Sequence, residues 1–414
     1  YTFDKNIYDY HWYTGQYDYT TIQGGSSKSF VDDYLRKYKQ HTNYNSINVY
    51  ATYNKDFGNH HFKVMAGFNQ ESSYQETLDT YSYNQAVLDV PAMSSGTGTI
   101  KATDSYSEYA IRGGFFRVNY NYLDKYLLEV NGRYDGSSKF PKSSRFGFFP
   151  SVSAGWQIAQ ERFMNSTRHW LDGLKLRASY GVIGNQNINP YTFTPSMSVN
   201  NKATSWIIDD TYVTSISSLP ALVSQNFTWE KVGTINVGLD VNLFNNRLSG
   251  VFEWYQRNTN GMLAPGVQLP AVVGASAPYQ NTADMRTRGW ELSLNWRDQI
   301  GKVGYRIGFN LSDYKSEIIK YDDNAATKLL SSYYPGQTLG EIWGYVVDGY
   351  YTVDDFVDTS SWQLKEGVTS INGYNVRPGD VKFKNLRDDD TSTNVITSGD
   401  NTFDNPGDRK VIGN

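Results

Sequence analysis

The stretch RVNYNYLDKYLLEVNGRYDGSSKF, residues 117–140, carries two apolar–polar alternations on either side of a short turn. Val118, Tyr120 and Tyr122 share one face, while Arg117, Asn119 and Asn121 take the other. After a turn at Leu123–Asp124–Lys125, Tyr126, Leu128, Val130 and Tyr134 oppose Glu129, Asn131, Arg133 and Asp135. Successive side chains of a strand point to opposite faces, so this pattern predicts a hairpin with one apolar and one polar face.

The pattern repeats along the chain. SVSAGWQI sets Val152, Ala154, Trp156 and Ile158 against Ser151, Ser153, Gly155 and Gln157. LKLRASY (174–180), INVGLDVNL (235–243), GWELSLNWR (289–297) and VGYRIGFNL (303–311) follow the same rule. Short connections are expected at Leu123–Lys125, Phe244–Arg247 and Asp298–Lys302, and long ones at about 70–107, 181–230, 257–287 and 317–414. Alternating tight turns and long loops is the layout of a transmembrane barrel. A soluble sandwich also alternates, with shorter strands and more even connections.

Composition fits either reading. The 414 residues include 36 Gly, 34 Tyr and no Cys, which excludes a disulfide framework and thiolate metal sites. A net charge of −4 without any basic run argues against a nucleic-acid binder. No apolar run approaches the ~20 residues of a membrane helix. Mean hydropathy is −0.57, but a barrel that alternates lipid-facing and lumen-facing residues also averages polar. Trp156, Trp254, Trp290 and Trp296 are expected near strand ends, where indole rings favour the membrane–water interface. The chain begins at Tyr1 and stops on turn-like residues, so both ends read as cuts in a longer protein.

Chemistry-bearing motifs are sparse. His60 and His61 are adjacent, and on a strand they would face opposite ways, which disfavours a shared metal. The acidic stretches Arg387–Asp390 and Ser398–Asp408 are oxygen-rich, as Ca²⁺ loops are, but they lack the twelve-residue helix–loop–helix spacing; a solvated loop is the simpler reading and no cofactor is expected. Asp209, Asp210 and Glu230 do not stand out as a glycosidase pair, and no nucleophile elbow, phosphate loop or His-Glu-x-x-His is present. No enzyme is expected. Loop aromatics are the candidate contact residues for a substrate or a covering partner: Trp206, Trp343, Tyr345, Tyr350 and Tyr351, with Trp362 nearby.

Several long motifs, in order, resemble SusC/RagA-type TonB-dependent outer-membrane transporters. They are residues 117–158, LKLRASYGVIGNQNI (174–188), WEKVGTINVGLDVNLFNNRLSGVFEWYQRNTNGML (229–263), NTADMRTRGWELSLNW (281–296), GEIWGYVVDGYY (340–351), RPGDVKFKNL (377–386) and NPGDRKVIGN (405–414). The resemblance implies an all-β, antiparallel transmembrane barrel of about 22 strands, of which residues 1–414 would be one part. It places residues 317–414 mostly in an extracellular loop region. It further implies a plug domain, TonB coupling, a SusD-like surface lipoprotein as lid, and import of oligosaccharides or peptides across the outer membrane. LRDDD (386–390) stands where many relatives carry Asn-Gly-Asp-Gly, a departure that weakens any metal role there. Two other readings of the residues stay open: a passive or structural outer-membrane barrel, and a secreted β-rich carbohydrate-binding protein.

Overall fold

Period-two alternation becomes a meander. In the computed structural model the described residues are 34–86, 91–197, 220–267, 269–324, 326–329, 333–387 and 394–413, with the backbone of short strands outside them. One sheet holds eleven strands in strictly sequential order. They are β1 (Thr2–Asp4), β2 (Tyr34–Phe57), β3 (His60–Tyr83), β4 (Ile100–Tyr122), β5 (Tyr126–Ser137), β6 (Phe146–Gln157), β7 (Leu171–Asn185), β8 (Glu230–Leu243), β9 (Leu248–Pro265), β10 (Tyr279–Ile300) and β11 (Val303–Tyr321). Packing divides the chain into two units, Tyr1–Asn48 with Asn69–Arg112, and Val49–Phe68 with Gly113–Asn414. Within the first, Arg36 forks onto Asp79 at 2.9 and 2.8 Å, Tyr44 donates to Glu71, and Gln85 bonds Ser82 and Ser95 around the 84–99 connection.

In the second unit the register aligns the faces across strands. One row runs Tyr126, Trp156, Leu176, Leu239, Phe252, Leu292, Leu311 from β5 to β11 and is wholly apolar. The row beside it begins with Leu127 on β5 and then runs Gly155, Arg177, Gly238, Glu253, Glu291, Ser312, with no large apolar side chain from β6 to β11. The apolar row is open to its surroundings: Phe252 is 44% exposed and Leu311 49%. A sheet that exposes a continuous apolar face and satisfies its charges on the other is built for lipid on one side and water on the other.

The aromatic tiers mark the lipid boundaries. Tyr126 stacks on Tyr122 and on Trp156 at one level, and Tyr134 stacks on Phe146 at another. The nine-residue interval from Tyr126 to Tyr134 is about what a tilted strand needs to cross the hydrocarbon.

Three expectations need correction. The long connections are shorter than the alternation suggests, because β3 runs to Tyr83, β4 starts at Ile100, β9 reaches Pro265 and β10 begins at Tyr279. Strands of 24 residues are roughly 80 Å long, far more than the lipid band needs. Beyond that band both faces are wet, so stretches such as Gln40–Ser46 lose the alternation while remaining strand. For the same reason Trp254 and Trp290, paired across β9 and β10, lie mid-strand rather than at strand ends. The third short turn is likewise tighter than expected, at residues 301–302.

Candidate functional site

The polar face is wired around Arg177. Its cross-strand neighbours are Gly155 and Gly238, so nothing blocks the guanidinium on either side. A Cβ built on Gly238 would lie 2.8 Å from Arg177 Cζ. The guanidinium therefore crosses β8 and donates to Asp240 at 3.0 Å and to Glu253, which also accepts from Asn236. On β4–β6, Asn131 bridges Glu129 and Ser151, and Arg117 donates to Asn131. Replacing Arg177 with Met is expected to leave Asp240 and Glu253 uncompensated beside Glu291, at about 1 kcal/mol for these partly exposed charges. The check is the heating midpoint of the detergent-solubilised barrel; adding Glu253→Gln to Arg177→Met should recover most of the loss.

An aromatic core anchors the loops at the end opposite the short turns. Phe140, Phe149, Phe227 and Trp229 are buried together, with Val182, Ile188, Phe193 and Leu263 against them. Trp229 Nε1 donates to the Arg145 carbonyl, Ser144 Oγ to that of Phe227, and Thr228 Oγ1 to that of Ser144. Asn281 on β10 binds both the amide and the carbonyl of Thr228. The β5–β6 and β7–β8 connections are thereby tied to each other and to β9 and β10 as one rim.

Residues 322–413 add a folded appendage. Residues 336–339 pair with the edge of β11 through Ile318, Ser316 and Glu317. Tyr334 is fully buried, donates to Glu341 and accepts from Trp343 Nε1. Further on, Asp408 is fully buried and accepts the amides of Leu386, Arg387 and Thr397. Part of the acidic stretch is thus spent internally, since Asp400 also accepts from Asn405. Among the described residues no group of three or more His, Cys, Asp or Glu is placed to hold a metal; Asp388–Asp390 lie outside them.

The five candidate aromatics part company. Trp343 packs edge-on against Phe403, and Tyr345 packs against Phe383. Tyr350 is 66% exposed. Tyr351 is not an exposed ring: it is 1% exposed in a core with Phe356 and Val376, and its hydroxyl donates to the Thr369 carbonyl. The alternation of β-structure turns adjacent tyrosines to opposite sides. Trp206 lies outside the described residues. Tyr374, Tyr191 and Tyr279 are also exposed, and nothing in their local sequence marks it.

Asp355 links this appendage to pH. It accepts the Thr352 amide at 2.7 Å and Lys382 Nζ at 3.2 Å, and the Thr352 amide first, then Lys382, hold its carboxyl below the ordinary 3.8. A folded-state value that is depressed gives stability present above the unfolded value and lost as pH falls through it. Protection of residues 352–382 should therefore fall below pH 3.8 in the wild type but change little in Asp355→Asn, the difference being read by hydrogen exchange.

Comparison with known proteins settles the family. The model of "TonB dependent receptor-like, beta-barrel" matches residues 1–407. The chain belongs to this TonB-dependent receptor family. It is 29% identical to TonB-dependent receptor P3 of Formosa agariphila over 96% of this chain and 38% of that protein. It is 32% identical to TonB-dependent receptor SusC of Bacteroides thetaiotaomicron over 66% of this chain and 27% of that protein. In structure it resembles the RagAB peptide importer in its closed-closed state, with a TM-score of 0.69 at 22% identity over 89% of this chain and 39% of that one. The chain therefore spans well under half the length of these relatives. As a TonB-dependent receptor segment it is outer-membrane barrel wall, in a family of receptors and transporters rather than enzymes.

Proposed function

We propose that the chain forms part of the wall and mouth of an active outer-membrane importer of oligosaccharides or peptides. Energy would come through TonB, and a SusD-like surface lipoprotein would cover the mouth. The observation that carries this reading is the paired rows of the sheet: an unbroken apolar row exposed on one face and, beside it, the charge-compensated Arg177–Asp240–Glu253 network on the other. A wall of that kind suits lipid outside and passage of a polar solute inside. The resemblance to SusC and to the RagAB peptide importer supports the partner and substrate classes. The test is to purify the native protein from outer membranes in mild detergent and identify its companions by mass spectrometry. A longer polypeptide with a plug domain and a SusD-like lipoprotein in near-equal amount is expected, together with uptake that stops when TonB is deleted. Uptake that persists without TonB would favour a passive barrel instead.

A further inference from the structure

A groove of about 430 Å³ opens between the segment after β7, residues 220–224 and the β9–β10 connection. Among the described residues its lining contains no charged side chain, although 19% of the chain is charged. Thr194, Ser196 and Ser276 are exposed, Leu222, Val223, Ala221, Ala277 and Pro278 supply apolar surface, and Tyr191 and Tyr279 also line it. Tyr279 is 54% exposed and Tyr191 41%.

The groove is held in shape. Tyr191 has φ of +66°, a left-handed conformation that a bulky residue rarely adopts and that needs outside support. That support comes from the Thr194 amide on its carbonyl, from Thr192 Oγ1 on the Asn189 carbonyl and from Gln225 on the Phe193 carbonyl. Phe193 itself packs on the buried Phe140–Phe149–Phe227–Trp229 core. The opposite side turns at Gly274, where φ is +64°. A partly exposed aromatic kept in a strained backbone on a rigid base is preorganised to meet a ligand.

We propose that this groove is a binding subsite for a neutral oligosaccharide, a proposal that rests on the importer reading and selects one of its two substrate classes. Sugar rings offer C–H faces to aromatic rings and hydroxyls to Ser and Thr, and a neutral glycan needs no counter-charge. An acidic glycan or a peptide with ionised termini would find no partner for its charges among the described lining residues, and desolvating them would cost affinity.

The test uses the full-length native transporter with its companion proteins, in detergent, and calorimetric titration. The probes are hexasaccharides of neutral glucan, galactan, mannan and xylan, a polygalacturonate hexasaccharide, and an Ala/Gly hexapeptide. At least one neutral hexasaccharide should bind, while the acidic one and the peptide should not. Tyr191→Ala and Tyr279→Ala should each weaken that binding about tenfold. Ser276→Asp should weaken it without loss of fold, checked by the shift of the heated against the unheated barrel on electrophoresis. The proposal falls if no neutral hexasaccharide binds, if the peptide or polygalacturonate binds better, or if folded Tyr191→Ala and Tyr279→Ala bind like the wild type. In those cases TonB-dependent uptake of some solute by wild-type cells would leave the importer reading standing. Absence of all such uptake would remove that reading as well.

Discussion

Replacing Asp408 with Ala should unravel the last described segment of the chain while leaving the barrel wall intact. Its carboxylate is fully buried and accepts three backbone amides, at 2.7 Å from Leu386, 3.1 Å from Arg387 and 2.8 Å from Thr397. Gly407, at φ of +65°, makes the turn that aims Asp408 inward, and Arg409 donates to the Pro406 and Ser398 carbonyls behind it. Hydrogen bonds to a charged group are worth about 1.5–3 kcal/mol each, and removing the acceptor strands buried donors. A local loss of about 3–5 kcal/mol is therefore expected. Hydrogen exchange at Leu386, Arg387 and Thr397 should speed up by roughly a hundredfold or more, whereas amides of β5–β8 should not change. Asp408→Asn keeps one carbonyl acceptor and should lose less. Unchanged protection at Leu386 and Thr397 in Asp408→Ala would show that this carboxylate does not hold the segment.

Trp229→Ala should release the rim. Trp229 is 5% exposed, lies 5.0 Å from Phe140 and 5.2 Å from Phe149 between ring centroids, and donates to the Arg145 carbonyl at 2.9 Å. Removing a buried aromatic of this kind costs about 3–5 kcal/mol. The wall strands keep their ladders, so the loss should appear as protease sensitivity in 138–145 and 186–197 rather than as loss of the barrel. Trp229→Phe would refill most of the cavity without the N–H donor and should fall between wild type and Ala. Equal protease resistance in all three proteins would mean that the rim is held from elsewhere.

How much of this was legible beforehand can be judged residue by residue. The hairpin at 117–140 and the turns at 123–125 and 244–247 follow from alternation alone, and the structure has them. The strand extensions to Tyr83, Asn185 and Pro265 do not, because outside the lipid band both faces meet water and the pattern fades. The His60–His61 pair also behaves as its spacing requires, with His60 on Tyr120 and His61 on Asp56.

The aromatics teach the opposite lesson. Trp343, Tyr345, Tyr350 and Tyr351 look alike in sequence, yet one is two-thirds exposed and another is wholly buried. Tyr191, with an unremarkable local sequence, sits on the rim of an uncharged groove. Exposure of a loop residue depends on which distant segments cover it, and those contacts are not periodic.

The two-faced strand and the order of turns can be read from the residues alone, because a side chain's face on a strand depends only on counting by two, and the family is carried by the long ordered motifs. Tertiary structure alone decided the rest. Arg177 meets Glu253 only because register places Gly238 between them, Asp408 meets Leu386 and Thr397 only because the chain turns back at Gly407, and the groove forms where the β7–β8 connection, seated on the aromatic core through Phe193, meets the β9–β10 connection. Each of these joins residues far apart along the chain, through register and burial that no local pattern encodes.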